Sequence, residues 1–248
     1  MHPSSNEIYD QFAPYYKHYS KNKSRYISAV DSLVLDHVPH ARHVLDVGCG
    51  DGSRGVRLAR AMSCKELMLV DSSKMMIDLA NSFKGENIDV VRSDISLAEP
   101  GHRLPQRHFD VVLCLWNVLG HIADSSGRIQ ALLNIRESMT DQGKLLVDIS
   151  NRYNVAYYGP KKVATNVLRN LLYYRTDNGD FAYTIDAGDI KINSYCHFFT
   201  PKEFPKLCKK AGLKIEKKMY VDYTDGSLTN ILAGHIFYVV RKDPKSKI

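Results

Sequence analysis

A single tryptophan, five cysteines and nine prolines stand among 248 residues, and each scarcity excludes something. The cysteines Cys49, Cys64, Cys114, Cys196 and Cys208 are odd in number and never spaced Cys-x-x-Cys, which excludes a disulfide framework and a cysteine zinc module. They are expected as reduced apolar fillers, and no metal site is expected. No apolar run reaches the ~20 residues of a membrane span and the amino terminus is polar, so a cytoplasmic protein with no membrane partner is expected. Low-complexity tracts and internal repeats are absent, which excludes repeat architectures. Acidic residues number 27 against 34 basic ones, a net charge of +7. That surplus admits a nucleic-acid partner, an anionic substrate, or solubility alone. With 44% hydrophobic residues, the chain suffices for one α/β domain with a small addition.

The chain is organised around Val44-Leu45-Asp46-Val47-Gly48-Cys49-Gly50-Asp51-Gly52-Ser53-Arg54-Gly55, which reads as buried strand, tight turn and helix start. Gly48, Gly50 and Gly52 let a ligand lie against bare backbone and permit positive φ. A dinucleotide fingerprint, Gly50-x-Gly52-x-x-Gly55, starts about two residues too late after the strand. Asp46 and Asp51 are also carboxylates where a pyrophosphate would sit. S-adenosylmethionine has no phosphate, and its sulfonium and ammonium favour acids. Here the chain resembles the class I S-adenosylmethionine-dependent methyltransferases, whose first motif runs apolar-apolar-Asp-apolar-Gly-x-Gly-x-Gly.

Acids recur at successive strand ends. Asp71 closes Glu66-Leu67-Met68-Leu69-Val70 roughly 20 residues past the turn, where a carboxylate accepts from both ribose hydroxyls. Ser72 follows it in the cofactor set, and Met76, a turn into the next helix, is placed on the adenine face. Asp94, beyond the strand Ile88 to Val91, is expected at the adenine amine, with Ile95 packed on the ring. A polar loop from Ala98 to His108 leads to a buried strand, Phe109 to Leu115.

Cys114-Leu115-Trp116-Asn117 with His121 and Asp124 resembles glycine N-methyltransferase and related small-amine N-methyltransferases. Ser24-Arg25 ahead of a long helix, and Leu145 to Ile149 followed by Asn151-Arg152-Tyr153-Asn154, carry the same likeness over about residues 9 to 153. The resemblance implies a Rossmann-like α/β sheet of seven strands, mostly parallel with an antiparallel hairpin at the end, and helices on both faces. It places Arg25, Leu115 and Trp116 on the cofactor. Asn117 is expected to orient an acceptor amine, His121 to act as base or substrate ligand, and Arg152 to fork onto a substrate carboxylate or phosphate.

The opening Ile8 to Tyr19 holds four tyrosines and a phenylalanine and reads as a lid broken or kinked at Pro14, with Tyr9 and Tyr19 as pocket contacts. The domain plan is a lid and helix over 1–40, a core over 41–152, a cap insertion over 153–199 and the rest of the sheet over 200–248. Within the cap, a helix over Lys162 to Leu172 and short strands at Leu172 to Arg175 and Phe181 to Ile185 are expected. The fitting activity is transfer of a methyl group from S-adenosylmethionine to a small polar acceptor at an amine nitrogen. Two alternatives stand: a tRNA wobble-uridine methyltransferase, and a non-catalytic S-adenosylmethionine-binding partner subunit. The oligomeric state is left open.

Overall fold

The computed structural model describes residues 4–99, 104–106, 108–173, 175–186 and 190–246. Two helices, α1 (Ser5–Lys21) and α2 (Ser24–His37), precede the sheet. Then β1 (His43–Val47), α3 (Ser53–Ala61), β2 (Glu66–Asp71) and α4 (Lys74–Ala80) alternate as βα units and lead into β3 (Ile88–Arg92) and β4 (Phe109–Cys114). They continue into α5 (Ser125–Ser138) and β5 (Met139–Ile149). The cap follows as α6 (Val155–Tyr158), α7 (Pro160–Leu172), β6 (Asp180–Asp186) and β7 (Lys191–His197). The chain ends with α8 (Glu203–Lys210), β8 (Leu213–Val221) and β9 (His235–Lys242).

The main sheet has seven strands in the order β3-β2-β1-β4-β5-β9-β8, with β6 and β7 forming a separate hairpin. The first five pair in parallel, while β9 lies antiparallel between β5 and β8. Chain order reverses direction between β1 and β4, the crevice at which open parallel sheets bind ligands beyond their carboxyl ends. Leu45, Val112 and Leu145 on one face and Leu69, Leu113 and Leu146 on the other are fully buried. Apolar cover on both faces explains why these strands show no alternation.

The helix α1 runs unbroken through Pro14. Pro14 gives up one backbone bond and crowds the carbonyl a turn before it, and Ile8 and Phe12 of the same helix pack against Ile192 and Tyr195 of β7. A capping box at Ser4 and Glu7 starts it. In the cap, Leu172 ends α7 rather than opening a strand, because Asn178 ties back to the Tyr173 carbonyl at 2.7 Å; Tyr174 of that expected strand lies outside the described residues. Pro100 to Arg103 and Arg107, in the expected polar loop, also lie outside them.

Candidate active site

A cavity of about 840 Å³ opens at the carboxyl ends of β1, β2 and β4, between α1 and the cap hairpin. Its floor is the glycine turn. Gly48 and Gly50 take φ of +68° and +56°, and both line the cavity. A Cβ on Gly50 would stand 2.8 Å from the Tyr16 hydroxyl, so bare backbone is what the space admits.

Asp71 sits beside that floor. Its two oxygens accept the Gly50 and Ser73 N–H groups, each at 2.9 Å, which holds the carboxylate at the wall. Burial pushes its pKa up to about 6, against the lowering pull of those N–H groups. Asp10 of α1 accepts the Ser73 hydroxyl at 2.6 Å and the Met75 N–H at 3.1 Å, which anchors the lid on the same turn. Ser72, Asp94, Ile95, Leu115, Trp116, Asn117, His121, Tyr9 and Tyr19 all line the cavity as well. Tyr19 stacks on Trp116 at 5.9 Å, closing the lid over the strand end.

Behind β4, Trp116 and Asn117 are both left-handed, at φ of +67° and +61°. Such non-glycine residues cost about 1–3 kcal/mol each and persist only when over-determined. Asp148 of β5 does this: it accepts the Trp116 N–H at 2.5 Å and the Tyr26 hydroxyl at 2.6 Å. Asn117 Oδ1 accepts the Ser150 N–H at 2.8 Å, and its Nδ2 donates to Cys196 Sγ at 2.8 Å. Its amide therefore joins β5 to the cap at the cavity wall.

His121 follows on the 3-10 turn Val118–His121. Its Nδ1 lies 3.0 Å from the Tyr195 carbonyl, which can only accept, so Nδ1 carries the proton and Nε2 has the lone pair. Burial lowers its pKa to about 4, leaving a neutral imidazole in the ordinary range. The Tyr9 ring meets it edge-on at 5.2 Å.

Five expected site residues are not among those lining this cavity. Arg152 is buried: the Arg152 and Phe199 backbones pair, so its guanidinium turns behind the cap, donating to the Phe198 carbonyl at 2.9 Å and pairing with Glu203 at 3.4 Å. Arg25 is exposed at the start of α2, its carbonyl against Gly226. Asp46 faces α3, where Gly55 leaves room for its carboxylate, and burial raises its pKa to about 7 despite nearby Arg54. Gly52 sits against Leu69 and Ala80 as the N-cap of α3, and Met76 is fully buried on the inner face of α4. His197 of β7 is fully buried, held between Asp180 and Glu203.

The cap contributes what the sequence did not single out. Tyr157, Tyr158, Phe181, Tyr183 and Phe198 make its inner wall aromatic. Lys162 of α7 is the one lysine or arginine among the described lining residues, its ammonium 4.9 Å from the Phe181 ring centre.

Residues 16–218 match the family described as "Methyltransferase domain". The chain belongs to this family. Its fold is that of a class I methyltransferase domain that uses S-adenosylmethionine. Ubiquinone biosynthesis O-methyltransferase of Coxiella burnetii is 27% identical over 177 residues, 70% of this chain. The chain spans 64% of the length of that curated relative. A solved S-adenosylmethionine-dependent methyltransferase from Clostridium acetobutylicum is 18% identical, with a TM-score of 0.63 over 94% of this chain and 98% of that one. The 1,6-didemethyltoxoflavin-N1-methyltransferase of Burkholderia thailandensis gives 15% and 0.60, covering 94% of this chain and 84% of that one. At such identities the structural likeness is one of fold. The narrower likeness to glycine N-methyltransferase is not singled out by these matches.

The residues present fit the cofactor. Asp71 and Ser72 would hold the ribose, Asp94 and Ile95 the adenine, and the Gly48 and Gly50 backbone the part passing over the turn. A ribose hydroxyl at that place would donate to the ionised form of Asp71, so binding would favour loss of its proton. Affinity would then be near complete about one unit above pH 6, halve near pH 6 and fall by up to tenfold per unit below it. Fluorescence of Trp116, the single tryptophan, measures this directly; equal affinity at about pH 7.5 and 5 contradicts the ribose assignment.

Proposed function

We propose that this protein methylates a nitrogen or oxygen borne on the ring of a small, anionic, planar acceptor. His121 carries this reading: a neutral imidazole lining the cavity, with its proton fixed on Nδ1 and the lone pair therefore left on Nε2. The bound cofactor supplies an electrophilic methyl on sulfonium. The protein contributes positioning, exclusion of water and removal of the acceptor's proton. The α1 tyrosines and the cap rings exclude water. The aromatic walls take a flat acceptor face, and Nε2 of His121 receives the proton as the new bond forms. Lys162 takes the acceptor's negative group in place of Arg152, whose guanidinium is committed to Glu203 and the Phe198 carbonyl. The names of the relatives support a ring acceptor, since one is a ubiquinone-pathway O-methyltransferase and another acts on 1,6-didemethyltoxoflavin.

Incubation with methyl-labelled cofactor and a cell extract split into small molecules and RNA tests the reading. Label is expected in an aromatic or heteroaromatic acid of the small-molecule fraction. Label in tRNA, or none with a partner-free chain, favours the two alternatives instead. With the labelled acceptor in hand, Lys162→Met is expected to raise KM about tenfold at unchanged kcat, the signature of lost uniform binding. An unchanged KM removes Lys162 from acceptor recognition.

A further inference from the structure

At the end of the sheet opposite the cavity, three side chains from three neighbouring strands converge. His43 opens β1, Glu66 opens β2 in register with it, and His108 immediately precedes β4. Parallel pairing brings these strand starts together, just as it brings the cofactor residues together at the other ends. Nε2 of His108 and Nε2 of His43 lie 3.0 and 3.8 Å from the same Glu66 oxygen, and the two rings are 4.7 Å apart. One ligand atom from each residue lies within 4.8 Å of the other two. A four-coordinate zinc ion with bonds of about 2.0–2.2 Å holds its ligand atoms roughly 3.4 Å apart, so small side-chain rotations close the set.

A second carboxylate stands behind it. Asp110 Oδ2 accepts the Arg42 and His43 backbone N–H groups at 3.1 Å each, and lies 3.6 Å from His43 Nδ1. A fixed carboxylate behind an imidazole is how metal-ligating histidines are oriented and made more basic. All three ligand side chains are partly open to solvent, at 29, 55 and 42% for His43, Glu66 and His108, which leaves an entry path. Methyl transfer uses none of them.

We propose that His43, Glu66 and His108 bind a divalent transition cation of the zinc type, with water completing the coordination. Two imidazoles and one carboxylate suit zinc, nickel or copper and do not suit magnesium or calcium. Because the ligands start three adjacent strands, the ion binds the folded sheet and not the unfolded chain, and so raises the unfolding midpoint. The five cysteines take no part.

The test is calorimetric titration of the chelator-treated full chain with zinc chloride, paired with thermal unfolding. One zinc per chain with a Kd of order micromolar is expected, with a raised unfolding midpoint and no effect of magnesium. His43→Ala and His108→Ala should each weaken zinc binding at least about tenfold, and Glu66→Gln should do the same while preserving shape. Cofactor affinity, read by Trp116 fluorescence, should not move in these variants, so the result is independent of the acceptor reading. Zinc binding unchanged in the His43→Ala/His108→Ala double variant overturns the proposal. So does wild-type protein that shows no zinc heat at ~100 μM, which would leave only a cluster of ion pairs.

Discussion

Gly50→Val is expected to remove S-adenosylmethionine binding from a protein that still folds. The position fails a side chain in two independent ways. Its φ of +56° lies in the left-handed region, which a β-branched residue adopts only with strain. The Cβ itself would lie 2.8 Å from the Tyr16 hydroxyl and 2.9 Å from its ring, before the two Cγ methyls are added. Either Tyr16 is expelled, opening the lid, or the turn shifts and takes with it the Gly50 N–H that steadies Asp71 at 2.9 Å. Both outcomes damage the floor and the ribose carboxylate together. The loss should exceed about 100-fold in Kd, or ~2.7 kcal/mol. Trp116 fluorescence titration measures it, with circular dichroism as the control for folding. Affinity within about threefold of wild type would place the cofactor somewhere other than the glycine turn.

Much of the cofactor half was legible because its signals are local. A glycine turn after a buried strand, an acid closing β2 and another just past β3 point to a parallel α/β sheet and put Gly48, Gly50, Asp71 and Asp94 at one edge, where the cavity lies. What failed was direction. Asp46, Gly52 and Met76 belong to the right elements but face α3 or the core, and sequence spacing does not tell which side of a βα unit a residue addresses. Arg152 failed for a tertiary reason: its backbone pairs with Phe199, almost 50 residues on, and that pairing carries its guanidinium behind the cap to Glu203. The cap itself left weak marks. Lys162 and the ring wall of Tyr158, Phe181 and Phe198 come together only through the β6–β7 hairpin, so composition alone could not rank one cation above the others. The consecutive left-handed Trp116 and Asn117 are similarly invisible until Asp148 is seen to hold them.

Replacing His121 should separate the proton transfer from everything else the site does. The informative change is His121→Asn, whose amide N–H can still donate to the Tyr195 carbonyl now 3.0 Å from Nδ1, while nothing remains at the position of Nε2. Fold and cofactor affinity should be unchanged, and kcat should fall by about 10²–10³, within the range supplied by a positioned general base. The low basicity of His121, with a pKa of about 4, does not disqualify it. As the carbon bond forms, the acceptor N–H or O–H becomes strongly acidic, so a weak base suffices if it is already neutral and aimed. The same pKa fixes the sign of the pH response. Wild-type kcat with saturating cofactor should show no limb from His121 between about pH 5.5 and 8, because protonation that disables Nε2 occurs only near 4. In His121→Asn the acceptor must ionise unaided, so kcat should climb about tenfold per pH unit until the acceptor's own pKa is reached. A variant with wild-type kcat at neutral pH, or with a reduced kcat that does not recover as pH rises, would show that Nε2 receives no proton and that His121 only supports the wall of the cap.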